Sequence, residues 1–512
     1  NLRRARAIDE YTLKGQGQEV YEPHFTFHGF RYVEVTGFPG RPSADALTGI
    51  AISSDLRRTG LFECSNTMLE RLQSNIVWSQ RGNFVGIPTD CPQRDERDGW
   101  MGDAQIFART ATFNLDCEAF FSQWMADVES GQSADGIMPD IAPIRGPSQA
   151  HFGWGDAGVI VPWTIYQVYG DTRIIERFYG SMSRWVEYLE KHSKDWLAPT
   201  GSYGDWLSPK PQAPNDVLST EYFAYVTRLM SKMAAAIGKR DDAERYEEMF
   251  QKIKSAFNVA YVDGEGQIKS DTQTAYVLAL RFELLDNSRR GGAARRLVEA
   301  IERSKWHLGT GFLGTGNLLP ALTEAGQNDV AYRLLENDTY PSWGYEVKNG
   351  ATTIWERWNG FAEGAEPENI GNMNSLNHYA YGAVGEWMYG TMAGIMPDAA
   401  RPGFKHMIIR PEPGGAITYA KGDYDSIRGR ISSHWKLDKD AFHLELKIPA
   451  NTSATVYMPA ESPERIKESG RPASQADGVR FIKMDGSVAV FEVGSGSYKF
   501  VATAGPAGRT KR

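Results

Sequence analysis

The spacing of hydrophobic residues changes twice along the chain and predicts three regions. Up to residue 57, short runs such as His-Phe-Thr-Phe-His (24–28) alternate polar and apolar residues, which is typical of β-strands. From 58 to 398, apolar residues recur every three or four positions, as they do in amphipathic helices. From 399 to 512 the alternation returns, most clearly in Ala-Phe-His-Leu-Glu-Leu-Lys-Ile (441–448), and further strands are predicted at 455–458 and 488–493.

The middle region predicts an all-α domain. Thr67 and Glu70 have the spacing of a capping box, and the residues after them form one apolar helical stripe: Met68, Leu69, Leu72, Ile76 and Val77. A second helix is predicted around Phe120, Phe121, Trp124, Met125 and Val128. Further helices are predicted near 157–169, 172–191, 219–237, 241–257, 271–285, 290–303, 316–325, 328–337 and 375–394. About a dozen helices without intervening strands indicate an all-α fold, and no fixed period of a solenoid repeat is present.

Charge and composition restrict the partners of the chain. A net charge of -8 over 512 residues offers no basic surface for nucleic acid, and no polybasic segment suggests an anionic membrane. No apolar run approaches the roughly 20 residues that span a bilayer. Apolar residues make up 41% of the chain, enough for a large core, and its 14 tryptophans suit a sugar-binding site. We therefore expect neither a nucleic acid nor a membrane partner.

Cysteines and histidines give no sign of a metal or cofactor. Cys64, Cys91 and Cys117 are isolated and form neither a disulfide framework nor a Cys-x-x-Cys site. Few cysteines and the lack of a signal-peptide pattern favour a cytoplasmic location. Because the chain starts with Asn1, inside a β-like region, we expect it to be part of something longer.

One glycine motif needs a separate interpretation. Gly-Thr-Gly-Phe-Leu-Gly (309–314) has the Gly-x-Gly-x-x-Gly spacing of a dinucleotide-binding loop. That motif functions between a strand and a helix, and here predicted helices surround it. We interpret it as a loop and expect no nucleotide there.

The stretch 90–103 is the strongest candidate for chemistry. It contains two arginines, Arg94 and Arg97, and five acids, Asp90, Asp95, Glu96, Asp98 and Asp103. A solvated acidic face would not favour Cys91, Pro92 or Trp100. Proline and glycine also break a long helix here, so we predict an irregular loop between helices, a usual place for functional residues.

A second candidate is the segment Ala-Thr-Thr-Ile-Trp-Glu-Arg-Trp-Asn-Gly (351–360), in which Trp355 and Trp358 flank Glu356 and Arg357. General acid–base catalysis by a pair of carboxyl groups needs a second acid, so Glu356 could complement an acid of the first stretch. From the residues alone, a buried structural Glu–Arg pair is an equally good interpretation.

Both segments resemble a known family. Asp-Cys-Pro-x-Arg-Asp-Glu-Arg-x-Gly-Trp-x-Gly-Asp-Ala, with close similarity from Pro88 to Gln105, resembles the signature of bacterial-type α-L-rhamnosidases, glycoside hydrolase family 78. Thr-Thr-x-Trp-Glu-Arg-Trp (352–358) resembles the family's second motif. The resemblance implies a multidomain protein: an (α/α)6 toroid catalytic domain at 58–398, flanked by the last part of an N-terminal β-sandwich at 1–57 and a C-terminal antiparallel β-sandwich at 399–512.

The resemblance also implies residue roles in an inverting α-L-rhamnosidase that needs no cofactor. Glu96 would be the general acid and Glu356 the general base. The residues matching family positions that contact rhamnose are Asp90, Arg94, Trp100, Asp103, Trp154, Trp206, Trp358 and His378. Simpler interpretations remain for some positions: structural residues for Asp95 and Asp98, helix caps for Asp156 and Asp205, and a core histidine for His378.

Two other functions fit the same pattern less well. Another α-glycosidase or a lyase could use the same toroid, and a non-catalytic carbohydrate-binding protein could share the site. Loss of either glutamate would have favoured the binding protein, and both are present. The expected partner is a glycoside or oligosaccharide that contains α-L-rhamnose, and a homodimer is possible.

Overall fold

The computed structural model describes residues 2–147, 149–209, 211–360, 374–439 and 441–503. The middle of the chain is helical. Its helices are α1 (Thr67–Asn83), α2 (Met101–Asn114), α3 (Glu118–Ser130), α4 (Ala157–Tyr169), α5 (Arg173–His192), α6 (Asn215–Ala236), α7 (Arg240–Tyr261), α8 (Gln273–Arg281), α9 (Asn287–Arg303), α10 (Phe312–Glu324), α11 (Asn328–Leu335), α12 (Trp343–Lys348) and α13 (Gly385–Trp387). A 3-10 turn (Ala380–Val384) precedes α13 and a π-helical turn (Met388–Met392) follows it.

The helical periodicity is confirmed by burial. In α3 all five residues of the predicted apolar stripe are buried, and α4 occupies the predicted range. Helix α1 begins as predicted at Thr67, but the predicted capping box is wrong. The cap is Asn66, whose side chain accepts hydrogen bonds from the amides of Met68 and Leu69. Among the described residues, no helix is long and apolar enough to cross a bilayer.

Alternate helices pack against one another in a regular order. Helix α2 packs against α4, α4 against α6, α6 against α8, and α8 against α10. The stretch 380–387 then contacts both α10 and α2. Helices α7, α9 and α11 pack against α6, α8 and α10 respectively, and α5 packs against both α4 and α6. Helices α5 and α7 bury one face, and their other face carries charged residues. The segments before α2, α4, α6 and the 3-10 turn Ala380–Val384 carry most of the candidate site residues, and Asp103 lies in the first turn of α2.

The C-terminal region is a β-domain of two sheets. The strands are β4 (Ile395–Pro397), β5 (His406–Ile409), β6 (Tyr419–Ser426), β7 (Gly429–Leu437), β8 (Ala441–Ile448), β9 (Ser453–Pro459), β10 (Ile466–Glu468), β11 (Arg471–Pro472), β12 (Val479–Asp485), β13 (Val488–Val493) and β14 (Gly496–Thr503). The predicted alternation in β8 is confirmed, because Phe442, Leu444, Leu446 and Ile448 are all buried. Two short strands, β2 (Phe84–Val85) and β3 (Ile87–Pro88), form a hairpin before the acidic loop.

The β-domain takes strands from both sides of the helical domain. Strand β1 (Gly60–Cys64) precedes α1, yet it pairs antiparallel with β6 at the edge of a seven-stranded sheet ordered β1-β6-β7-β8-β14-β10-β11. The other sheet has the order β12-β13-β9-β5-β4. A Cβ on Gly60 would lie 2.3 Å from the Phe113 carbonyl oxygen, so the strand can approach α2 this closely only with glycine. Both ends of the helical domain are therefore joined to the same β-domain.

The strands predicted between residues 24 and 36 are not formed. Within residues 2–57 the structure describes one 3-10 turn, Ala44–Ala46, and no strand, and most side chains are exposed. The alternating pattern is present, but a strand also requires a neighbouring strand to pair its backbone groups, and no described strand pairs with this segment. The segment nevertheless contacts the acidic loop. Arg97 donates to the Phe27 carbonyl (2.8 Å) and lies over the Phe27 ring.

Candidate active site

The acidic loop follows β3 and leads into α2, and Asp90 closes it. The Asp90 carboxylate accepts a hydrogen bond from the Asp98 amide (2.9 Å), and the Asp90 amide donates to the Asp98 carbonyl (2.9 Å). Gly99 lies so close to Ala142 that a Cβ atom would be 2.2 Å from its carbonyl oxygen. The loop is therefore irregular, as predicted, and it is held in one conformation by its own backbone and by the segment before α4.

Arg94 is the buried centre of this loop, and its guanidinium contacts three carboxylates. It lies 3.2 Å from Asp90, 2.8 Å from Glu96 and 3.0 Å from Glu356, and its side chain is only 2% exposed. Burying acids without a cation is costly, and one planar guanidinium can serve several carboxylates through its separate N–H groups. Arg94 thus joins the two glutamates that the sequence singled out, although they lie far apart along the chain.

Asp90 has an unusual acidity in this cluster. Burial, followed by the negative charge of Glu96, raises the pKa of Asp90 to about 7, although His378 and Arg94 oppose the shift. A carboxyl with this pKa is partly protonated near neutral pH. It can therefore donate as well as accept a hydrogen bond.

Asp103 and His378 form a second buried pair. Asp103 lies in the first turn of α2, and its carboxylate is 3.0 Å from Nε2 of His378. Nδ1 of His378 accepts the amide hydrogen of Ala380 (3.2 Å), so its Nε2 carries the proton donated to Asp103. Burial raises the pKa of Asp103 in spite of this hydrogen bond. The histidine is thus bound at both nitrogens, one to the backbone and one to a predicted site residue.

Glu356 lies on a buried segment without regular secondary structure. Its side chain is 3% exposed, and its amide donates to the Ser375 carbonyl (2.9 Å). Ser79 of α1 accepts the amide hydrogen of Ile354 (2.8 Å), and the His378 amide donates to the Ile354 carbonyl (2.8 Å). Helix α1 and the segment 374–378 both hold this backbone. Glu356 is therefore positioned by contacts with other segments, which the local sequence pattern does not predict.

Trp100 connects the acidic loop to the open side of the site. Its indole N–H donates to Glu96 (3.0 Å), and its ring is partly exposed. The Glu96 side chain is 11% exposed, more than the other carboxylates bound to Arg94. Arg3 of the N-terminal segment also reaches Glu96 (2.9 Å) and Asp95 (2.9 Å). Glu96 therefore lies at the boundary between the buried cluster and the surface.

The other predicted tryptophans lie around the same cluster. The Trp154 ring packs on Gly102, where a Cβ atom would be 2.5 Å from it. Its indole nitrogen is buried and has no hydrogen-bond partner among the described residues. Trp358 stacks on Tyr381 (4.0 Å between ring centroids) and is buried, whereas Trp206 is partly exposed. The structure therefore brings all ten predicted site residues to one region.

The glycine motif at 309–314 holds a carboxylate of the chain itself. Asp205 accepts hydrogen bonds from the amides of Gly311 (2.7 Å), Leu313 (2.8 Å) and Gly314 (3.2 Å), and from the Thr274 hydroxyl (2.5 Å). These amides lie at the start of α10, where the helix dipole favours an anion. Asp205 is thus a cap for a distant helix, and the motif follows α9, with no preceding strand.

The remaining acids have structural contacts. Asp98 pairs with Arg145 (3.0 Å), as Asp95 does with Arg3. Asp156 stands at the N-cap position of α4, as predicted, but its carboxylate makes no bond to the helix. It accepts instead from the Gly153 amide (2.7 Å) and the Trp185 indole (2.9 Å). It thereby fixes the turn that carries Trp154.

One group of side chains could be considered for a metal. Within the described parts of the chain, ligand atoms of Asp90, Cys91 and Glu96 lie within 4.8 Å of one another. Arg94 contacts both carboxylates, and burial raises the pKa of the Cys91 thiol far above its usual value, so the sulfur stays protonated. This donor set does not fit a metal ion, and no cofactor site is assigned to it.

Sequence reasoning missed three residues that contact this region: Tyr203, His151 and Arg3. Tyr203 and His151 each lie close in sequence to a predicted tryptophan, which is a signal that could have been followed. The ring of Tyr203 lies 4.9 Å from that of Trp154 and 4.4 Å from that of His151. Arg3 had no such signal, because its contact to Glu96 depends on the path of the N-terminal segment.

Comparison with known proteins assigns each region of the chain to the same family. Residues 57–392 match the 6 hairpin glycosidase domain of bacterial alpha-L-rhamnosidases. Residues 394–472 match the C-terminal domain of these enzymes, and residues 1–53 match their concanavalin-like domain. The alpha-L-rhamnosidase of Streptomyces avermitilis is 48% identical over 98% of this chain and 47% of its own length. One from Formosa agariphila is 40% identical over 98% of this chain and 55% of its own length. The chain thus spans about half the length of these relatives.

The structures agree with this assignment. The crystal structure of the Streptomyces avermitilis alpha-L-rhamnosidase complexed with L-rhamnose superposes with a TM-score of 0.91 at 47% identity. The match covers 96% of this chain and 47% of that one. Because the helical-domain match alone includes well over half of the residues, and both candidate motifs lie inside it, the chain belongs to the bacterial α-L-rhamnosidase family.

Proposed function

We propose that this chain is an inverting α-L-rhamnosidase, which releases terminal non-reducing α-L-rhamnose from glycosides or oligosaccharides. The observation that carries the proposal is the contact of Glu96 and Glu356 with the single guanidinium of Arg94. Two carboxyl groups at one site are the minimum that glycoside hydrolysis requires. The family relationship supplies the substrate class.

The buried residues suit the recognition of a 6-deoxy sugar. Asp90, Asp103 and His378 are each less than 5% exposed and can exchange hydrogen bonds with the three ring hydroxyls. Aromatic rings of Trp154 and Trp358 can accept the methyl group that replaces the sixth hydroxyl. The unpaired indole N–H of Trp154 offers one further donor for the sugar.

The different exposure of the two glutamates supports their roles. The rhamnose lies at the non-reducing end, so the leaving group must extend from the buried pocket towards solvent. Glu96, at 11% exposure and bonded to the partly exposed Trp100, is on that side, whereas Glu356 is 3% exposed. The general acid must reach the oxygen of the leaving group, and we therefore propose Glu96 as the acid and Glu356 as the base.

The reaction then consumes one water. Glu96, in its protonated form, donates its proton to the glycosidic oxygen as the bond to the anomeric carbon breaks. Glu356 removes a proton from the water that attacks the anomeric carbon from the opposite face, which gives β-L-rhamnose. The proton gained by Glu356 passes to solvent and Glu96 takes one back, so both residues return to their initial state. Arg94, which donates a hydrogen bond to Glu356 (3.0 Å), holds its carboxyl group in position for the attack.

We extend the proposal to the architecture. We infer that the helices form an (α/α)6 toroid, with α2, α4, α6, α8, α10 and the stretch 380–392 as its inner ring. The order of contacts, in which the last member touches both α10 and α2, supports a closed ring. The loops at one end of these helices would then surround the site, and the two C-terminal sheets would pack as a sandwich.

The test is hydrolysis of an aryl α-L-rhamnoside, with the anomer of the released sugar followed by NMR during the first minutes. We expect β-L-rhamnose to appear first and then mutarotate. Glu96→Gln and Glu356→Gln should each lower kcat by at least about 1,000-fold, since each removes one of the two proton transfers. Both variants should keep the wild-type melting temperature within a few degrees.

Other results would change the assignment. First appearance of the α-anomer would mean retention and would remove Glu356 from the role of base. Hydrolysis of other α-glycosides but not of rhamnosides would indicate a different glycosidase. Binding of L-rhamnose by a folded protein that hydrolyses none of these substrates would indicate a carbohydrate-binding protein.

A further inference from the structure

Tyr203 lies at the centre of an aromatic group formed with the predicted site tryptophans. Its ring centroid is 4.9 Å from that of Trp154, 5.7 Å from that of Trp100 and 6.2 Å from that of Trp206, with edge-to-face geometry in each case. Such contacts are favourable and fix ring orientation. Yet Tyr203 is 38% exposed, although it lies among partly or fully buried rings. Part of its side chain is therefore open to solvent next to the site tryptophans.

The orientation of this tyrosine is set by hydrogen bonds as well as by packing. Its hydroxyl donates to Asp140 (3.2 Å), and the same Asp140 oxygen is 2.7 Å from Nδ1 of His151. The rings of His151 and Tyr203 are also in contact, at 4.4 Å. Asp140 in turn is tied to the acidic loop, because its carbonyl accepts the amide hydrogen of Met101. The tyrosine is thus held rigidly, which lowers the entropy cost of binding a ring against it.

The group lies on the side of the site where the leaving group departs. Glu96 is bonded to the Trp100 indole, and that indole is in edge-to-face contact with Tyr203. The acid must lie against the glycosidic oxygen, so whatever is attached to that oxygen lies beyond Glu96 and next to Trp100. Asp90 and Asp103, which we propose to bind rhamnose, are by contrast buried.

We infer that Tyr203, next to Trp100 and Trp206, forms part of the subsite for the leaving group and favours leaving groups with a flat ring next to the glycosidic oxygen. This inference rests on the proposed rhamnosidase activity. The leaving groups expected to bind here share an apolar ring face, which an aromatic phenol or the less polar face of a hexose can supply. Tyr203 acts on specificity and takes no part in proton transfer.

The experiment compares Tyr203→Ala and Tyr203→Phe with the wild type on three substrates that share the rhamnosyl group. They are an aryl α-L-rhamnoside, a rhamnosyl-glucose disaccharide and methyl α-L-rhamnoside. Tyr203→Ala should lower kcat/KM by about tenfold where the leaving group has a ring and by less than about twofold for the methyl glycoside. Tyr203→Phe keeps the ring face and should stay within about threefold on all three. If Tyr203→Ala lowers kcat/KM more for the aryl rhamnoside than for the disaccharide, or the reverse, the substrate with the larger loss has the preferred ring face.

Further measurements separate this inference from the proposed function. Inhibition by free L-rhamnose should not change in Tyr203→Ala, because rhamnose occupies only the buried side. Tyr419→Ala, at a half-buried tyrosine on β6, is the matched control and should leave all three substrates unaffected. Equal loss on all three substrates, or weaker inhibition by rhamnose, would show that Tyr203 only supports Trp100 and would overturn the inference while the activity stands. A wild type that hydrolyses no rhamnoside would refute the proposed function, and this inference with it.

Discussion

Replacement of Asp90 by asparagine should make the protein less sensitive to pH. Burial and the charge of Glu96 raise the pKa of Asp90 from 3.8 to about 7 in the folded protein. This difference corresponds to at most about 4 kcal/mol of free energy between the two protonation states. In the unfolded chain Asp90 loses its proton near its ordinary pKa of about 4, whereas the folded protein keeps it until about pH 7. Between these values the folded state binds more protons, so the free energy of unfolding falls as pH rises.

In the Asp90→Asn variant this fall in unfolding free energy with rising pH should be absent, because the asparagine side chain does not titrate. The asparagine oxygen can still accept the Asp98 amide hydrogen, while the asparagine NH₂ group faces Arg94, so some constant destabilisation is expected. The informative quantity is the change in that destabilisation with pH. From about pH 5 to about pH 8 the free energy of unfolding of the wild type, relative to Asp90→Asn, should fall by about 2–3 kcal/mol.

The assay is urea unfolding at about pH 5 and about pH 8, followed by tryptophan fluorescence, with wild type and variant compared at each pH. A stability difference that is the same at both pH values, within about 0.5 kcal/mol, would refute the reasoning. Two further variants sharpen the test. In a Glu96→Gln background the effect should shrink, because the charge that raises the pKa of Asp90 is gone. At Asp156, whose pKa burial raises to about 6, Asp156→Asn should show the same sign with about 1–2 kcal/mol.

Two other predictions concern residues outside the proposed chemistry. Gly102→Ala would place a methyl group 2.5 Å from the Trp154 ring. Because the ring must then move, we expect the KM for aryl rhamnosides to rise about tenfold. An unchanged KM would contradict this prediction. Glu346 is buried, its pKa is raised far above the usual value, and it accepts the Trp355 amide hydrogen (3.3 Å) next to Glu356. Glu346→Gln should therefore keep the stability and kcat of the wild type, whereas Glu346→Leu should lose about 1–3 kcal/mol of unfolding free energy and lower kcat. Urea unfolding and steady-state kinetics measure both effects. Equal behaviour of the two variants would show that the hydrogen bond from Trp355 to Glu346 does not position Glu356.

The positions of most helices and of the main C-terminal strands could be predicted because these features depend on neighbours a few residues away. The helix predicted at 375–394 is wrong, because the structure has there a 3-10 turn, the three-residue α13 and a π-helical turn. The stripe in α3 and the alternation in β8 both follow from the period with which side chains point towards the core. The acidic loop was recognisable for a similar reason. Proline and glycine prevent a regular helix there, while Cys91 and Trp100 are unsuited to a solvated surface.

The contacts between distant segments were decided by the tertiary structure alone. No local pattern indicates that β1 pairs with β6, or that Asp205 caps α10. The strand pattern at 24–36 shows the same limit, because alternation without a neighbouring strand leaves the backbone unpaired. Both candidate motifs could therefore be identified from their residue types in the sequence. Their meeting at Arg94 required the folded chain, because charge pairs form between segments that only packing brings within hydrogen-bond distance.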